Sequence, residues 1–192
     1  RYRPQGQDSW EGLLFPAKYF IEDDVTALEV LARMNDEFAR VTGELGYGGA
    51  DRKHGMSAYE VIIVASLIEA EAKVDEDRAK IARVIYNRLR DNHWLGIDAT
   101  YLYALQDRQA QLTTELLNST ENPYYSRRQT GLPPTPIAMP SKASLEAAMN
   151  PADGDWLFYV LSPDGRTHNF ATTDEEFLEF KRIAEEAGVL GG

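Results

Sequence analysis

The spacing of apolar residues predicts a series of helices, each opened by a recognisable N-terminal signal. A Thr-x-x-Glu capping box begins at Thr26, and apolar residues then recur on one side of the chain to about Val41. A second capping box begins at Ser57 and opens SAYEVIIVASLIEAEAK, an almost unbroken apolar run that ends in two acids. Asp75 is a candidate cap for the next helix, which carries an apolar stripe. The short break near Val74 predicts an antiparallel or sharply angled helix pair.

Two stretches rich in glycine or proline interrupt this pattern. The sequence GELGYGGADRKHG, at 43–55, predicts a flexible connector. Residues 119–140 contain too much Pro, Gly and Tyr for a helix, and a long ordered loop of this kind is often functional. Between these stretches, residues 94–105 have a mixed pattern for which we expect a strand or a loop, and TTELLNS predicts a short helix.

The C-terminal part of the chain predicts a helix, a hairpin and a last helix. Ser141 begins a helix that ends before Pro151. The segments WLFYVL and THNFAT flank SPDGR, which predicts a hairpin near 157–172. A third capping box begins at Thr173, and the helix that it opens continues to about Ala187. The expected fold class is therefore α+β, with helical segments packed on a small antiparallel sheet that includes this hairpin.

Composition and charge exclude several kinds of function. The 192 residues are 43% hydrophobic, which suits one compact domain with a small appended piece. The net charge of −11 disfavours nucleic acids and anionic membrane surfaces, and we expect no nucleic-acid partner. The chain has no Cys, and its three His are far apart, so neither a metal nor a cofactor is expected. No apolar run has the length of a membrane span.

The two acids of ASLIEAEAK raise the main chemical question. Residues two apart on a helix differ by about 200° in direction, so Glu69 and Glu71 cannot act side by side. The face that carries Glu69 narrows to small residues, which favours it as the working acid and leaves room for a ligand. The apolar run before it predicts a raised pKa. The alternative is a solvated ion pair between Glu69 and Lys73, with Glu71 beside Arg78.

Several motifs in this order resemble the YceG-like family, the endolytic murein transglycosylases. The matching segments cover most of the chain: EGLLFPAKY, ASLIEAEAK, DEDRAKIARVIYNRL, LGIDATYLYAL, NPYYSRRQTGLPPTPIAMPSKASLEAAMNPA and LFYVLSPDGRTHNFATT. The resemblance implies an N-terminal segment at 1–50, where the end of a LysM-like region is absent, and a catalytic domain at 51–192. The chain opens at RYRPQGQDSW without Met, so we expect an excised soluble part of a longer protein.

The resemblance assigns the catalytic acid to Glu69. It also implies supporting or substrate-binding residues, which are Glu71, Asn87, Asp98, Thr100, Tyr124, Ser126, Gly131, Leu132, Pro133 and Pro134. Glu11 is a weaker candidate for the cleft. The chain departs from the usual family pattern at Gly96, Ala99, Tyr125 and Arg127, and these departures affect the expected sugar contacts while leaving the acid intact.

The implied reaction cleaves the MurNAc–GlcNAc bond within nascent glycan strands and leaves 1,6-anhydro-MurNAc ends. Glu69 would be the single general acid and base, because the sugar's own C6 hydroxyl, rather than water, attacks the anomeric carbon. Two alternatives stay open: a hydrolase in which Asp98 holds a water opposite Glu69, and an inactive or weakly active peptidoglycan-binding module. The expected partners are peptidoglycan strands and cell-wall synthases. The expected location is the extracytoplasmic face of the bacterial membrane, held by an N-terminal helix absent from this chain.

Overall fold

The helix that follows Ser57 lies at the centre of the molecule, which a computed structural model describes for residues 2–190. Every residue from Val61 to Ile68 is buried. The Ser57 hydroxyl accepts a hydrogen bond from the Glu60 N–H at 3.3 Å, and the Glu60 carboxylate accepts one from the Ser57 N–H at 2.7 Å. A helix that is apolar on every side is stable only when other elements surround it.

The remaining elements enclose this helix. The part of the chain that the structure describes contains eight α-helices, one short 3-10 helix and a two-stranded sheet, so the predicted α+β class is confirmed. The elements are α1 (Ala27–Glu44), the 3-10 helix (Tyr47–Gly49), α2 (Ala50–His54), α3 (Ala58–Glu71), α4 (Asp75–Arg90), α5 (Asp98–Leu105), α6 (Thr114–Asn118), α7 (Lys142–Met149), β1 (Phe158–Leu161), β2 (His168–Ala171) and α8 (Asp174–Glu186).

Most predicted helix starts and the hairpin are confirmed. Thr26 and Thr173 both cap their helices with complete capping boxes, and Ser141 is the N-cap of α7. The two strands are antiparallel, and Phe158 pairs with Ala171. The predicted cap at Asp75 is wrong by one residue, because the residue before it holds the cap position. Asp75 is instead the first residue of α4, where a carboxylate still interacts favourably with the helix dipole.

The predicted flexible connector at 43–55 is wrong. The segment forms the 3-10 helix and α2, and Tyr47 within it is completely buried. The Tyr47 hydroxyl donates a hydrogen bond to the Leu145 carbonyl at 3.0 Å. The glycines of this segment permit tight turns, and Gly46 adopts a φ of 79°. The large aromatic residue between those turns holds the segment in place.

The predicted strand or loop over 94–105 is wrong for most of its length. Residues Asp98–Leu105 form α5, and Trp94 makes only an isolated antiparallel bridge with Thr130. The sequence DATYLYAL has apolar residues on all sides of the helix, so it lacks the one-sided stripe by which an amphipathic helix is recognised. The start of α5 lies against the end of α3 and therefore bears directly on the site.

Helix α7 packs against both α3 and α4, and its C-terminal end is tied down by side chains from earlier elements. The Tyr86 hydroxyl donates to the Ala148 carbonyl at 2.8 Å, and His54 Nε2 lies 3.1 Å from the Met149 carbonyl. His54 and Tyr86 also stack with their ring centroids 5.0 Å apart. These contacts fix the direction of α7, whose N-terminus meets Glu69.

One hydrophobic core contains residues from both sides of the predicted boundary at residue 50. Phe38 and Tyr47 belong to the same cluster of buried residues as Ile62 and Leu145. The division into a 1–50 segment and a 51–192 domain stays a prediction. No helix among residues 2–190 combines the length and apolar composition that a bilayer span requires.

Candidate active site

Glu69 lies in the last turn of α3, at the wall of a pocket of about 690 Å³. Its side chain is 27% exposed, so the carboxyl is accessible from one side. The other residues that line the pocket come from the N-terminal segment, α5 and the long loop before α7: Glu11, Pro16, Ala70, Ala99, Leu102, Tyr103, Gln106, Arg108, Ile137, Ala138 and Met139.

Four hydrogen bonds hold one oxygen of the Glu69 carboxyl. Oε2 accepts from the Ser141 backbone N–H at 3.0 Å, the Ser141 hydroxyl at 2.6 Å and the Ser144 hydroxyl at 2.6 Å. The fourth donor is Arg78 Nη1 at 3.3 Å. Oε1 accepts no hydrogen bond from the residues that the structure describes. The carboxyl is therefore oriented through Oε2, and Oε1 is available for a ligand.

The donors reach Glu69 because α4 and the start of α7 meet the end of α3. Ser141 is the N-cap of α7, so its backbone N–H and those that follow point out of the helix start, where the dipole favours a negative charge. Arg78 lies on α4, which returns past the end of α3 after a short turn. Its guanidinium also donates to the Ser144 hydroxyl at 2.6 Å and to Asp75 at 2.8 Å.

The pKa of Glu69 is lowered, which corrects the prediction of a raised value. Partial burial acts to raise the pKa, but the hydrogen bonds from Ser141 and Ser144 and the charge of Arg78 outweigh it. The alternative of an ion pair between Glu69 and Lys73 is also wrong, since Lys73 Nζ donates to the Gly165 carbonyl at 3.4 Å. Arg78, expected beside the other acid, pairs with Glu69 instead.

Glu71 is the acid whose pKa is raised. Burial of its carboxyl is the main cause, and it outweighs the hydrogen bond that the Tyr159 hydroxyl donates to Oε2 at 2.9 Å. Asp98 raises the pKa further, whereas Arg127 acts in the opposite direction. The two acids thus point to different places, as their spacing on the helix predicted.

Asp98, Thr100 and Ser126 build the turn that starts α5. Thr100 and Ser126 are buried, and their hydroxyl oxygens are 3.0 Å apart. Ser126 Oγ accepts the Ile97 N–H at 2.9 Å, and Thr100 donates to the Ile97 carbonyl at 2.7 Å. Asp98 is half-exposed and forms an ion pair with Arg127 at 2.6 Å. None of these three candidates lines the pocket of Glu69, although Ala99 between them does.

The long loop at 119–140 forms one wall of the pocket through its last residues. The Ile137 N–H donates to the Ser66 hydroxyl at 3.1 Å, which fastens the loop to the small face of α3 one turn before Glu69. The Tyr124 hydroxyl lies 2.8 Å from that of Thr135, and the Tyr124 ring packs against Tyr103, which lines the pocket. This part of the loop is an ordered support for the wall.

The GLPP segment places its four residues in different surroundings. Gly131 has a φ of 89°, which favours glycine, and Leu132 is partly buried against the core. Pro133 is buried and Pro134 is exposed. None of the four lines the pocket of Glu69.

Comparison with known proteins decides the family. The profile of the YceG-like family matches residues 2–182. This chain belongs to the YceG-like family. It is 36% identical over 155 residues to the endolytic murein transglycosylase of Bacillus subtilis (strain 168), a match that covers 81% of this chain and 42% of that protein. It is 32% identical over 176 residues to the endolytic murein transglycosylase of Streptococcus pneumoniae (serotype 2, strain D39), covering 86% of this chain and 30% of that protein.

A solved structure agrees with this assignment. A yceG-like protein of Listeria monocytogenes, known from a 2.6 Å crystal structure, superimposes with a TM-score of 0.79 at 33% identity. The match covers 88% of this chain and 55% of that one. The YceG-like chain spans less than half the length of the curated relatives that it matches.

The N-terminal EG pair of this YceG-like chain reaches the pocket through a close backbone contact. Gly12 has a φ of 75°, and a Cβ built on it would lie 2.3 Å from the Cβ of Pro136. Only glycine permits this approach, and it brings Glu11 to the same pocket as Glu69. Glu11 was a weaker candidate from the sequence, but it lines the pocket of Glu69, whereas Asp98 and Thr100 do not.

Asn87 lies elsewhere. It is buried on α4, and its side-chain amide donates to the carbonyls of Gly154 at 3.1 Å and Trp156 at 2.9 Å. It fixes the chain that leads into β1 and does not line the pocket of Glu69. Within residues 2–190, no three His, Asp or Glu side chains come together in a way that would hold a metal ion.

Sequence reasoning missed the residues that control the charge of Glu69. These are Arg78, Ser141 and Ser144. Ser141 was recognised only as a helix cap, a role in which its hydroxyl accepts the Ser144 N–H at 3.3 Å. A cap hydroxyl that accepts this N–H still has its own proton to donate. This unused donor is the feature of the sequence that could have indicated a nearby carboxylate.

Proposed function

We propose that this chain is the catalytic portion of an endolytic peptidoglycan lytic transglycosylase. It cleaves the MurNAc–GlcNAc bond within nascent glycan strands and leaves 1,6-anhydro-MurNAc ends, with Glu69 as the single general acid and base. The observation that carries the proposal is the asymmetric carboxyl at the wall of a large pocket: Oε2 accepts from four donors, and Oε1 accepts no hydrogen bond from residues 2–190. The names of the relatives support the same reaction class.

The asymmetry assigns a role to each oxygen. In a protonated carboxyl, one oxygen carries the proton and the other accepts hydrogen bonds. The donors from Ser141, Ser144 and Arg78 remain satisfied on Oε2 when the proton is on Oε1. Proton transfer at Oε1 therefore requires no rearrangement around Glu69.

The reaction uses this oxygen twice. Oε1–H gives its proton to the glycosidic oxygen as the bond to the anomeric carbon of MurNAc breaks. The carboxylate of Glu69 then takes the proton from the C6 hydroxyl of the same sugar, and the C6 oxygen closes on the anomeric carbon. The acid is regenerated, no water is consumed, and the product end is the anhydro sugar.

The lowered pKa of the free carboxyl determines when Glu69 is protonated. A carboxylate is the resting form at neutral pH. A glycan in the pocket excludes water from the exposed side of Glu69, and loss of water favours the neutral form. The Glu69 carboxyl would therefore become protonated only when a glycan strand is bound.

A hydrolase that uses Glu69 with Asp98 has less support. Asp98 is paired with Arg127 and does not line the pocket of Glu69, so it is not placed to hold a water opposite this acid. The binding-module alternative has no observation in its favour beyond the departures at Gly96, Ala99, Tyr125 and Arg127.

The surroundings of the proposed enzyme follow from the substrate. Its partners would be peptidoglycan strands and the cell-wall synthases that make them. It would act on the extracytoplasmic face of the membrane, held there by an N-terminal anchor outside this chain.

The test is to incubate the protein with uncrosslinked glycan strands and identify the new ends by mass spectrometry. Glu69→Gln should lower kcat/KM by at least about 100-fold, the usual contribution of a positioned general acid. Glu76→Gln, at an exposed acid in the first turn of α4, is the matched control and should retain activity. Anhydro ends that require Glu69 support the proposal. Reducing ends would replace it with the hydrolase, and strand binding without cleavage in any variant would favour the binding module.

A further inference from the structure

A second pocket, of about 420 Å³, lies on the other side of the turn that begins α5. Three arginines line it, Arg88, Arg127 and Arg128, together with the aromatic side chains of Trp94 and Phe158. We call it the basic pocket. None of the described residues lines both this pocket and the pocket of Glu69.

The charge of the basic pocket is opposite to that of the protein. The chain has 31 acidic and 20 basic residues, yet none of the described residues that line this pocket is Asp or Glu. Arg127 is paired with Asp98. Within the described residues, Arg88 and Arg128 have no carboxylate within 4.0 Å, although Asp174 acts on Arg88 from farther away. Two guanidinium charges thus have no ion-pair partner among residues 2–190.

The two arginines are held in place before any ligand arrives. Arg88 donates to the carbonyls of Leu157 and Leu95, both at 2.5 Å, and burial lowers its pKa. Arg128 lies over the ring of Trp94 at 5.1 Å, its Nε donates to Asn118 Oδ1 at 3.0 Å, and its Nη2 donates to the same oxygen. Within the described residues its Nη1 has no hydrogen-bond acceptor, so this nitrogen is available for a carboxylate.

We propose that the basic pocket binds a carboxylate of the peptide carried by the glycan strand, and so recognises peptide-bearing strands. The proposal rests on the proposed function. It is supported by the position of the pocket, because Ala99 lines the pocket of Glu69 and Gly96, three residues earlier, lines the basic pocket. Trp94, which is 47% exposed, and Phe158 offer apolar walls to the aliphatic parts of such a peptide. Nucleic acid is disfavoured by the overall charge of −11.

A direct binding measurement tests the basic pocket independently of catalysis. Every protein carries Glu69→Gln, and the probe is a muramyl peptide with free carboxylates, measured by isothermal titration calorimetry. Adding Arg128→Gln should weaken binding about tenfold, which corresponds to about 1.4 kcal/mol. Arg128→Lys keeps the charge but not the planar fork, so it should recover only part of the loss. Arg166→Gln removes the same charge from the exposed hairpin turn and is the matched control, with no expected change.

Two further probes make the result decisive. The same muramyl peptide with its carboxylates amidated should bind as weakly to the parent protein as the free acid binds to the Arg128→Gln protein. Equal binding of the two peptides, or no effect of Arg128→Gln, would overturn the proposal. Equal binding of a polyglutamate peptide would also overturn it, because the pocket would then be a general anion site.

Cleavage assays distinguish a failure of the basic-pocket proposal from a failure of the proposed function. With Glu69 intact, peptide-bearing strands should be cleaved faster than strands stripped of peptides. Arg128→Gln should abolish that difference, whereas the control Arg166→Gln should leave the rates on both substrates unchanged. A preference that survives Arg128→Gln would contradict the basic-pocket proposal alone. Absence of cleavage on both substrates would contradict the proposed function and leave the binding measurements to judge the pocket.

Discussion

Ser141 donates two hydrogen bonds to the same oxygen of Glu69, one from its backbone nitrogen at 3.0 Å and one from its hydroxyl at 2.6 Å. The cap residue of one helix therefore holds the carboxyl at the end of another. This arrangement sets both the orientation of the acid and its pKa, and it can be tested at each donor.

Removal of a hydroxyl donor should raise the pKa of Glu69. Hydrogen bonds to a carboxylate stabilise its charged form, so Ser144→Ala should move the basic limb of the pH profile of kcat/KM to higher pH. Ser141→Ala should act in the same direction, and it should also cost about 1 kcal/mol of stability through loss of the helix cap. Rate assays across pH and urea unfolding measure the two effects. A limb that stays in place in both variants would show that these donors do not control the acid.

The charge of Arg78 should contribute separately. Arg78→Gln removes the cation beside Glu69 and should shift the same limb upward, whereas Arg78→Lys keeps a positive charge and should shift it less. Carbon-13 NMR titration of the Glu69 carboxyl reports this pKa directly without substrate. Identical titration of the two variants would contradict an electrostatic role.

The raised pKa of Glu71 predicts a pH-dependent cost to stability. A carboxyl whose folded pKa is above its ordinary value of 4.5 contributes stability that is present below that value and lost as pH rises through the folded pKa. Glu71→Gln keeps an acceptor for the Tyr159 hydroxyl and removes the charge. The variant should therefore gain stability relative to the native protein as pH increases. Urea unfolding at pH 4 and pH 8 checks this, and a difference that shrinks with pH would contradict it.

Tyr47 should stabilise the fold without taking part in the chemistry. Tyr47→Phe removes the hydrogen bond to Leu145 and should cost about 1 kcal/mol. The pH profile of kcat/KM should not move. A loss of stability close to zero would mean that the 43–55 segment is held by packing alone.

The fold could be predicted where local signals are strong. The capping boxes at Thr26, Ser57 and Thr173 and the turn in SPDGR each mark an element that the structure contains. Helix α5 was missed because its apolar residues have no preferred side. The helical turns around Tyr47 were missed because glycine content outweighed one buried aromatic residue.

The candidate site, too, could be predicted from the sequence only in part. Glu69 could be singled out from the small residues on its face and from the resemblance to the family. Its pKa could not, because Ser141 and Ser144 lie 72 and 75 residues farther along the chain. Only the packing of α7 on α3 brings those hydroxyls to the acid, and no local sequence pattern indicates that packing.

In the proposed reaction the C6 hydroxyl of the sugar, and not water, attacks the anomeric carbon, and Glu69 is the only acid. Cleavage of glycan strands in water enriched with ¹⁸O distinguishes the two attacking groups. We expect new muramyl ends that contain no ¹⁸O, and no new ends with Glu69→Gln. Incorporation of one ¹⁸O at the new end would show that water attacks, and the chain would then be a hydrolase.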